Sequence, residues 1–210
     1  MSKPASDSEK TVFVVDDDAG VRDSLCELMA AAGIDCRAFA SAEAFLESLT
    51  GNERGCVLLD EALPGLSGAE TLGILCERGV HLPVIMITAH GDVRLAVTAM
   101  RAGAWDFLEK PWARDSLLAA VDGALRHEHD IHLREQKQAD AAARIADLTP
   151  RERQVFDRLV RGDTNKQVAR RLDLSPRTVE FYRAKVLEKA DTDNVAGLVR
   201  LAFASGELKP

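Results

Sequence analysis

The sequence predicts an α/β domain built on a doubly wound, five-stranded parallel sheet, continued by a long helix into a small all-α domain of four helices. Three observations predict it. Apolar strand-like runs alternate five times with helix-like stretches between residue 11 and about residue 126, runs such as TVFVV and VIMIT show no polar alternation, and helix-start signals recur from residue 148 onward. Strands without alternation are covered on both faces, as in parallel sheets. Short β–α repeats then close with right-handed crossovers.

Strands are expected at Thr11–Val15, Ile34–Phe39, Cys56–Asp60, Pro83–Thr88 and Trp105–Glu109. Helices are expected over Gly20–Ala32, Ala42–Leu49, Ala69–Arg78 and Val93–Arg101, with one more beginning near Asp115. Asp18 is placed to cap the first of them. From Asp115 to about Asp147 the one turn signal is Gly123, and the segment is rich in Ala, Glu, Arg and Gln, all good helix formers. Leu117, Val121, Ala124, Leu125, Glu128 and Ile131 keep apolar spacing only partway, so a sustained coiled coil is not supported.

A second domain starts at Leu148. Thr149-Pro150-Arg151-Glu152 is a capping box with Pro at the first helical position. Thr164-Asn165-Lys166-Gln167 is a second box, following Gly162, which suits a helix stop. Ser175-Pro176 opens a third helix, and Thr192 or Asp193 a fourth, which Gly206 would close. Two of these helices are joined by the tight LDLSP turn, which suggests a helix-turn-helix module. The expected division is 10–126 for the sheet domain, 127–147 for the helical linker and 148–207 for the helical domain.

Composition narrows the function classes. In 210 residues, 46% are hydrophobic, enough for real cores, yet no apolar run approaches the roughly 20 residues that span a bilayer. The start, MSKPASDSEK, is polar and reads as a short disordered tail on a cytoplasmic protein. Cys26, Cys36, Cys56 and Cys76 form no metal-spaced pair and are expected as reduced core residues. His127, His129 and His132 fall in a polar helical stretch and are expected to be solvated. The net charge of −7 hides a split: residues 1–147 carry 14 Lys and Arg against 25 Asp and Glu, whereas 148–210 carry 13 against 9. An acidic first part and a basic second part imply different partners, with nucleic acid a candidate for the second.

Ligands of open parallel sheets bind beyond the carboxyl ends of the strands. There the sequence places Asp16-Asp17-Asp18, Asp60, Thr88 and Lys110-Pro111. In the flavodoxin-like order 2-1-3-4-5 the strands carrying them are neighbours, so the groups converge. Clustered carboxylates repel unless a cation sits among them, and oxygen-only ligation at a wet sheet edge suits Mg²⁺ or Mn²⁺. Lys110 adds a fixed positive charge and Thr88 a hydroxyl, which together fit a phosphoryl group on its way to Asp60.

The motifs VVDDD, LLDEALPGLSG, MITAHGD and FLEKPW, in that order and spacing, make residues 11–126 resemble the receiver domain of two-component response regulators. That resemblance implies that Asp60 accepts phosphate from a sensor histidine kinase. It implies that Asp17, Asp60 and the carbonyl of Ala62 bind Mg²⁺, with Asp16 holding one of the metal's waters. Thr88 and Phe107 would be a switch pair, and Lys110, before a cis proline, would contact the phosphoryl oxygens. Ala62 and His90 occupy positions that tune phosphate loss in such domains. Since Ala62 cannot orient a water, slow hydrolysis is expected.

The segment LTPRERQVFDRLVRGDTNKQVARRLDLSPRTVEFYRAKVLEKA resembles the LuxR-type helix-turn-helix behind receivers of the FixJ/NarL class, through L-T-x-R-E, G-x-x-N-K and S-x-x-T-V. Val155, Leu159, Val168, Leu172, Val179 and Val186 are spaced for its core. The helix Pro176–Ala190 would enter the major groove of double-stranded DNA. Glu180, Phe181 and Ala184 form the strip facing base edges. Lys166, Arg177, Thr178, Arg183, Lys185 and Lys189 are read as phosphate contacts, which position without specifying. Seven Lys and Arg against three Asp and Glu over 164–190 favour binding.

The expected protein is therefore a transcriptional regulator switched by phosphorylation, dimeric when phosphorylated. It is not an enzyme beyond its own phosphoryl transfer and slow autodephosphorylation. The alternative is a DNA-binding regulator whose receiver acts without phosphate. A phosphatase of the haloacid dehalogenase type is disfavoured, because Ala62 stands where that chemistry needs a second Asp.

Overall fold

The computed structural model of the chain describes residues 10–89 and 93–208. The polar start and His90 lie outside the described residues. The strands are β1 (Thr11–Val15), β2 (Asp35–Phe39), β3 (Gly55–Asp60), β4 (Val84–Thr88) and β5 (Asp106–Glu109). Helices α1 (Ala19–Ala31), α2 (Ala42–Ser48), α3 (Gly68–Glu77), α4 (Val93–Arg101) and α5 (Arg114–Ala146) follow them in alternation. Then come α6 (Pro150–Leu159), α7 (Asn165–Leu172), α8 (Pro176–Lys189) and α9 (Val195–Ala204). The chain divides into two compact units between Asp130 and Ile131, within α5.

In the first unit the sheet is parallel with order β2-β1-β3-β4-β5. Alternation along each inner strand sends side chains into two cores. Phe13, Val15, Val57, Leu59 and Met86 join Phe45, Leu72 and Ala99 on one face. Val12, Val14, Leu58, Ile85 and Ile87 join Leu25, Met29, Leu117 and Val121 on the other. This double cover is why β1, β3 and β4 lack polar alternation, whereas the edge strand β2 leaves three of its five residues exposed.

The helix starts follow local chemistry. Asp18 caps α1 by accepting from the Gly20 and Val21 amides, and Ser67, Thr149 and Thr164 each close a reciprocal capping box. Asn194 caps α9, not Thr192 or Asp193. The Asn194 side chain accepts from the Gly197 amide at 3.0 Å, and Gly197 lies so close to Thr192 that a Cβ there would sit 1.7 Å from its Oγ1. The second unit buries Ile145, Val155, Phe156, Leu159, Val168, Val179, Val186 and Leu198 together.

The cysteine expectation needs correction. Cys26 of α1 and Cys36 of β2 are joined in a disulfide, their Cα atoms 5.4 Å apart. Cys76 is an exposed thiol, whereas Cys56 is a buried one, pushed up to about 12 by burial first and then by the charge of Glu128. Spacing along the chain does not reveal that helix and strand meet at Cys26 and Cys36. His127, expected to be solvated, is exposed but stacks on Trp105 with ring centroids 4.3 Å apart.

Gly55 opens β3 with φ +133°, and a Cβ there would sit 1.8 Å from the Thr11 carbonyl oxygen. Gly55→Ala is therefore expected to cost at least about 1–3 kcal/mol through backbone strain alone, read as a lower midpoint in urea; an unchanged midpoint contradicts this account of the β1–β3 contact.

Candidate functional site

The sheet register delivers the polar groups to one edge. β1 and β3 are adjacent with Val15 opposite Leu59, so Asp16 and Asp60 emerge side by side. Thr88 ends β4 opposite Glu109 of β5, and the Lys110 amide donates to the Thr88 carbonyl at 2.7 Å. Lys110 is followed by a cis proline, as the resemblance implied.

Carboxylate oxygens of Asp16, Asp17 and Asp60 all lie within 4.8 Å of one another. Asp16 and Asp60 are buried, at 2% and 5% exposure, while Asp17 faces solvent. The Lys110 ammonium bridges the two buried acids, donating to Asp16 Oδ2 at 2.7 Å and to Asp60 Oδ1 at 2.9 Å. Burial pushes the Asp60 carboxyl above the ordinary range, Lys110 pulls it back, and the charges of Asp16 and Asp17 push it up again. Burial pulls the Lys110 ammonium down, but its bonds to Asp16 and Asp60 outweigh that and leave it raised. One lysine cannot neutralise three carboxylates, and one of the three opens to water. The donor set is all oxygen, which fits a hard divalent cation that keeps several waters.

Further residues support the site. Arg22 donates to the Asp16 and Asp17 carbonyls at 2.7 and 2.9 Å, holding the acidic loop. Glu43 of α2 accepts from the Leu66 amide at 3.1 Å and fixes the loop after Asp60. Gly68 approaches Asp60 so closely that a Cβ would lie 2.6 Å from the Asp60 carbonyl oxygen. The Gly in LSG was the available signal for the last; nothing marked Arg22 or Glu43. Ala62 lies exposed in the same loop, Thr88 is buried, and Phe107 is half-buried against the core shared with Met86.

In the second unit, α8 presents Glu180, Phe181 and Ala184 to solvent, Phe181 with 59% exposure, while Val179 and Val186 are buried. Lys166 and Arg177 are exposed and Thr178 is half-buried. Lys185 pairs with Glu188 at 2.9 Å. Arg183 donates to Asn165 Oδ1 at 3.1 Å and so ties α7 to α8. Lys189 donates to the Asp147 carbonyl at 2.9 Å and to Glu152 at 2.8 Å, and the bond to Glu152 is the largest influence holding that carboxyl below its ordinary range.

An acid-lined parallel sheet joined to an exposed, basic helix-turn-helix defines a response regulator. Residues 12–122 match the response regulator receiver domain, and residues 146–202 match the bacterial regulatory proteins of the luxR family. The chain is 46% identical over 197 residues to the transcriptional regulatory protein FixJ of Bradyrhizobium diazoefficiens, covering 94% of this chain and 96% of that one. It is 35% identical to the transcriptional regulatory protein TdiR of Thauera aromatica, covering 97% and 89%. Among solved structures, the response regulator StyR matches with a TM-score of 0.86 at 37% identity over 93% of this chain and 99% of that one. Full-length FixJ from B. japonicum matches at 0.59 and 44% identity over 97% and 100%. The chain belongs to the FixJ/NarL class of response regulators, and it is a FixJ-like transcriptional regulator of a two-component system.

A carboxylate whose folded value is raised releases its proton later than in the unfolded chain, so stability falls as pH rises through that interval. Asp60→Asn is thus expected to raise Tm at pH 7, with the gain fading below about pH 4, near the ordinary aspartate value. Thermal melts across pH read this, and an Asp60→Asn variant melting lower than wild type at pH 7 contradicts it.

Proposed function

We propose that Asp60 is the phosphoacceptor of this regulator and that its modification controls dimerisation and promoter binding. The observation that carries the reading is the bridge from Lys110 to Asp16 and Asp60, with Asp17 opening the same cluster to water. Asp60 offers an oxygen to the phosphorus of a phosphohistidine on a sensor kinase; the P–N bond breaks and an acyl phosphate forms. Lys110, already on Asp60 Oδ1, is placed to follow the charge onto the phosphoryl oxygens. Asp16, Asp17, Asp60 and the Ala62 carbonyl would hold Mg²⁺ or Mn²⁺, which when bound offsets the negative charge gathered there. Thr88 and Phe107 form the switch pair, one at the end of β4 and one within β5. Ala62 has no group to orient a water, so phosphate loss is slow.

The output is double-stranded DNA, met in the cytoplasm. Glu180, Phe181 and Ala184 face base edges; Lys166, Arg177, Thr178, Arg183 and Lys185 meet phosphates. Lys189, which also pairs with Glu152 and Asp147 at the C-terminal end of α8, is the sixth phosphate contact.

Wild type and Asp60→Asn should be treated with Mg²⁺ and a small phosphodonor, then compared by mass, oligomeric state and promoter binding. Wild type is expected to gain one phosphoryl group, dimerise and bind; the Asp60→Asn variant gains none. No mass gain in wild type overturns the proposal, binding that is equal in both favours a receiver acting without phosphate, and loss of the group within seconds contradicts the role given to Ala62.

A dimer making roughly 6–10 phosphate contacts should lose about 10³–10⁵ in affinity between 50 and 200 mM salt. Arg177→Ala should weaken binding across all sequences, whereas Phe181→Ala should change which bases are preferred. Titrations at several salt concentrations decide this, and salt-independent binding would sink the interface.

A further inference from the structure

The two cysteines joined between α1 and β2 belong to neither site described above. We infer that Cys26 and Cys36 form a thiol–disulfide exchange site whose reaction partners are low-molecular-weight disulfides and dithiols, and whose state sets how firmly the edge strand is held to its domain. Their Cα separation of 5.4 Å falls within the ordinary range for a disulfide. Both residues are half-buried and, like Val21, Leu28 and Ile34, pack against the margin of the core around Leu25 and Met29, so each keeps some exposure to solvent. Cys56 is buried and out of reach, and exposed Cys76 remains a free thiol.

The position gives the bond its consequence. Among the described residues β2 is an edge strand paired with β1 alone, with Cys36 opposite Val12. The helix at the other end of the bond starts at the Asp18 cap and carries Arg22, which holds the carbonyls of Asp16 and Asp17. The disulfide therefore fastens one of the sheet's two edge strands to the helix that carries Arg22. β1, β3 and β4 have a neighbour on each side, and β5 is the other edge.

The chemistry balances without any cofactor. One protein thiolate attacks a small disulfide and releases a thiol; the second thiolate then displaces the other half as a second thiol. The protein loses two electrons and two protons, and the small disulfide gains them. A dithiol reverses both steps. That the pair exchanges instead of remaining a permanent staple rests on the DNA-binding reading, which places the chain in a compartment where thiols are kept reduced and protein disulfides are transient or redox-sensing.

The test uses the full chain in glutathione buffers of graded oxidised-to-reduced ratio, quenched by alkylation and read by peptide mass. The expected result is a Cys26–Cys36 linked peptide that appears and disappears reversibly through one two-electron midpoint. Hydrogen exchange on the same samples should show faster amide exchange in β2 and the adjoining half of α1 on reduction, with β3 and β4 unchanged, and a lower Tm. Cys26→Ser and Cys36→Ser should match reduced wild type in both buffers. The inference is overturned by no linked peptide under oxidation, by linkage to Cys76, by a native linkage that glutathione does not reduce, or by identical exchange in the two forms. None of these readouts uses DNA, metal or phosphodonor, so they stand if the phosphoacceptor reading fails; a permanent linkage alongside intact DNA binding removes the exchange site alone.

Discussion

The Lys110 ammonium between Asp16 and Asp60 is the interaction on which the first unit's chemistry depends. Two carboxylates that are nearly inaccessible to water would be costly to keep ionised side by side. Lys110 offsets that cost from positions 94 and 50 residues away in sequence. Only the strand order makes this possible, because β1 and β3 must be adjacent for the acids to meet and β5 must end near them for the lysine to reach. The two apolar cores, the Gly55 contact and the Gly68 approach all serve to hold that register. Destabilisation built into such a cluster is typical of sites that act on charged ligands.

Much of this was legible in the sequence because the signals are local. Runs such as VIMIT declare burial on both faces, and the capping residues at Asp18, Thr149, Thr164 and Ser175 act within a few positions of themselves. The acids at strand ends were legible for a different reason: parallel topology sends every carboxyl end to the same edge. What stayed hidden depends on contacts between distant segments. The Cys26–Cys36 bond requires knowing how α1 lies on β2, and Arg22 and Glu43 act on backbone groups that leave no trace in spacing. The α9 cap falls one or two residues later than expected, because Thr192, Asp193 and Asn194 are all capping types and spacing alone does not choose among them.

In the second unit, positive charge serves two ends. Lys189 neutralises Glu152, which is 6% exposed and also closes the capping box of α6. Arg183 is bonded to Asn165 at the start of α7. Cations that a sequence count assigns to DNA are thus partly occupied in fixing α8 against its neighbours. Lys166 and Arg177 remain exposed, and the strip of Glu180, Phe181 and Ala184 faces solvent while Val179 and Val186 are locked inward.

The partial apolar spacing of α5 has a similar origin. Leu117, Val121, Ala124 and Leu125 face the sheet, but the next position in that stripe is Glu128, buried and paired with Arg54. A buried pair of this kind tolerates the loss of neither partner, since the survivor keeps its desolvation cost without its attraction. Glu128 therefore marks where α5 stops contributing to the first core. Residues 134–140 are exposed throughout, and the helix buries apolar side chains again only at Ala141 and at Ile145, the latter inside the second core. Between those limits helicity depends on propensity and on continuity with the packed ends, not on packing of its own. A run of Ala, Glu, Arg and Gln is what that requirement selects, and this is why the linker reads as helix in sequence while never reading as a coiled coil.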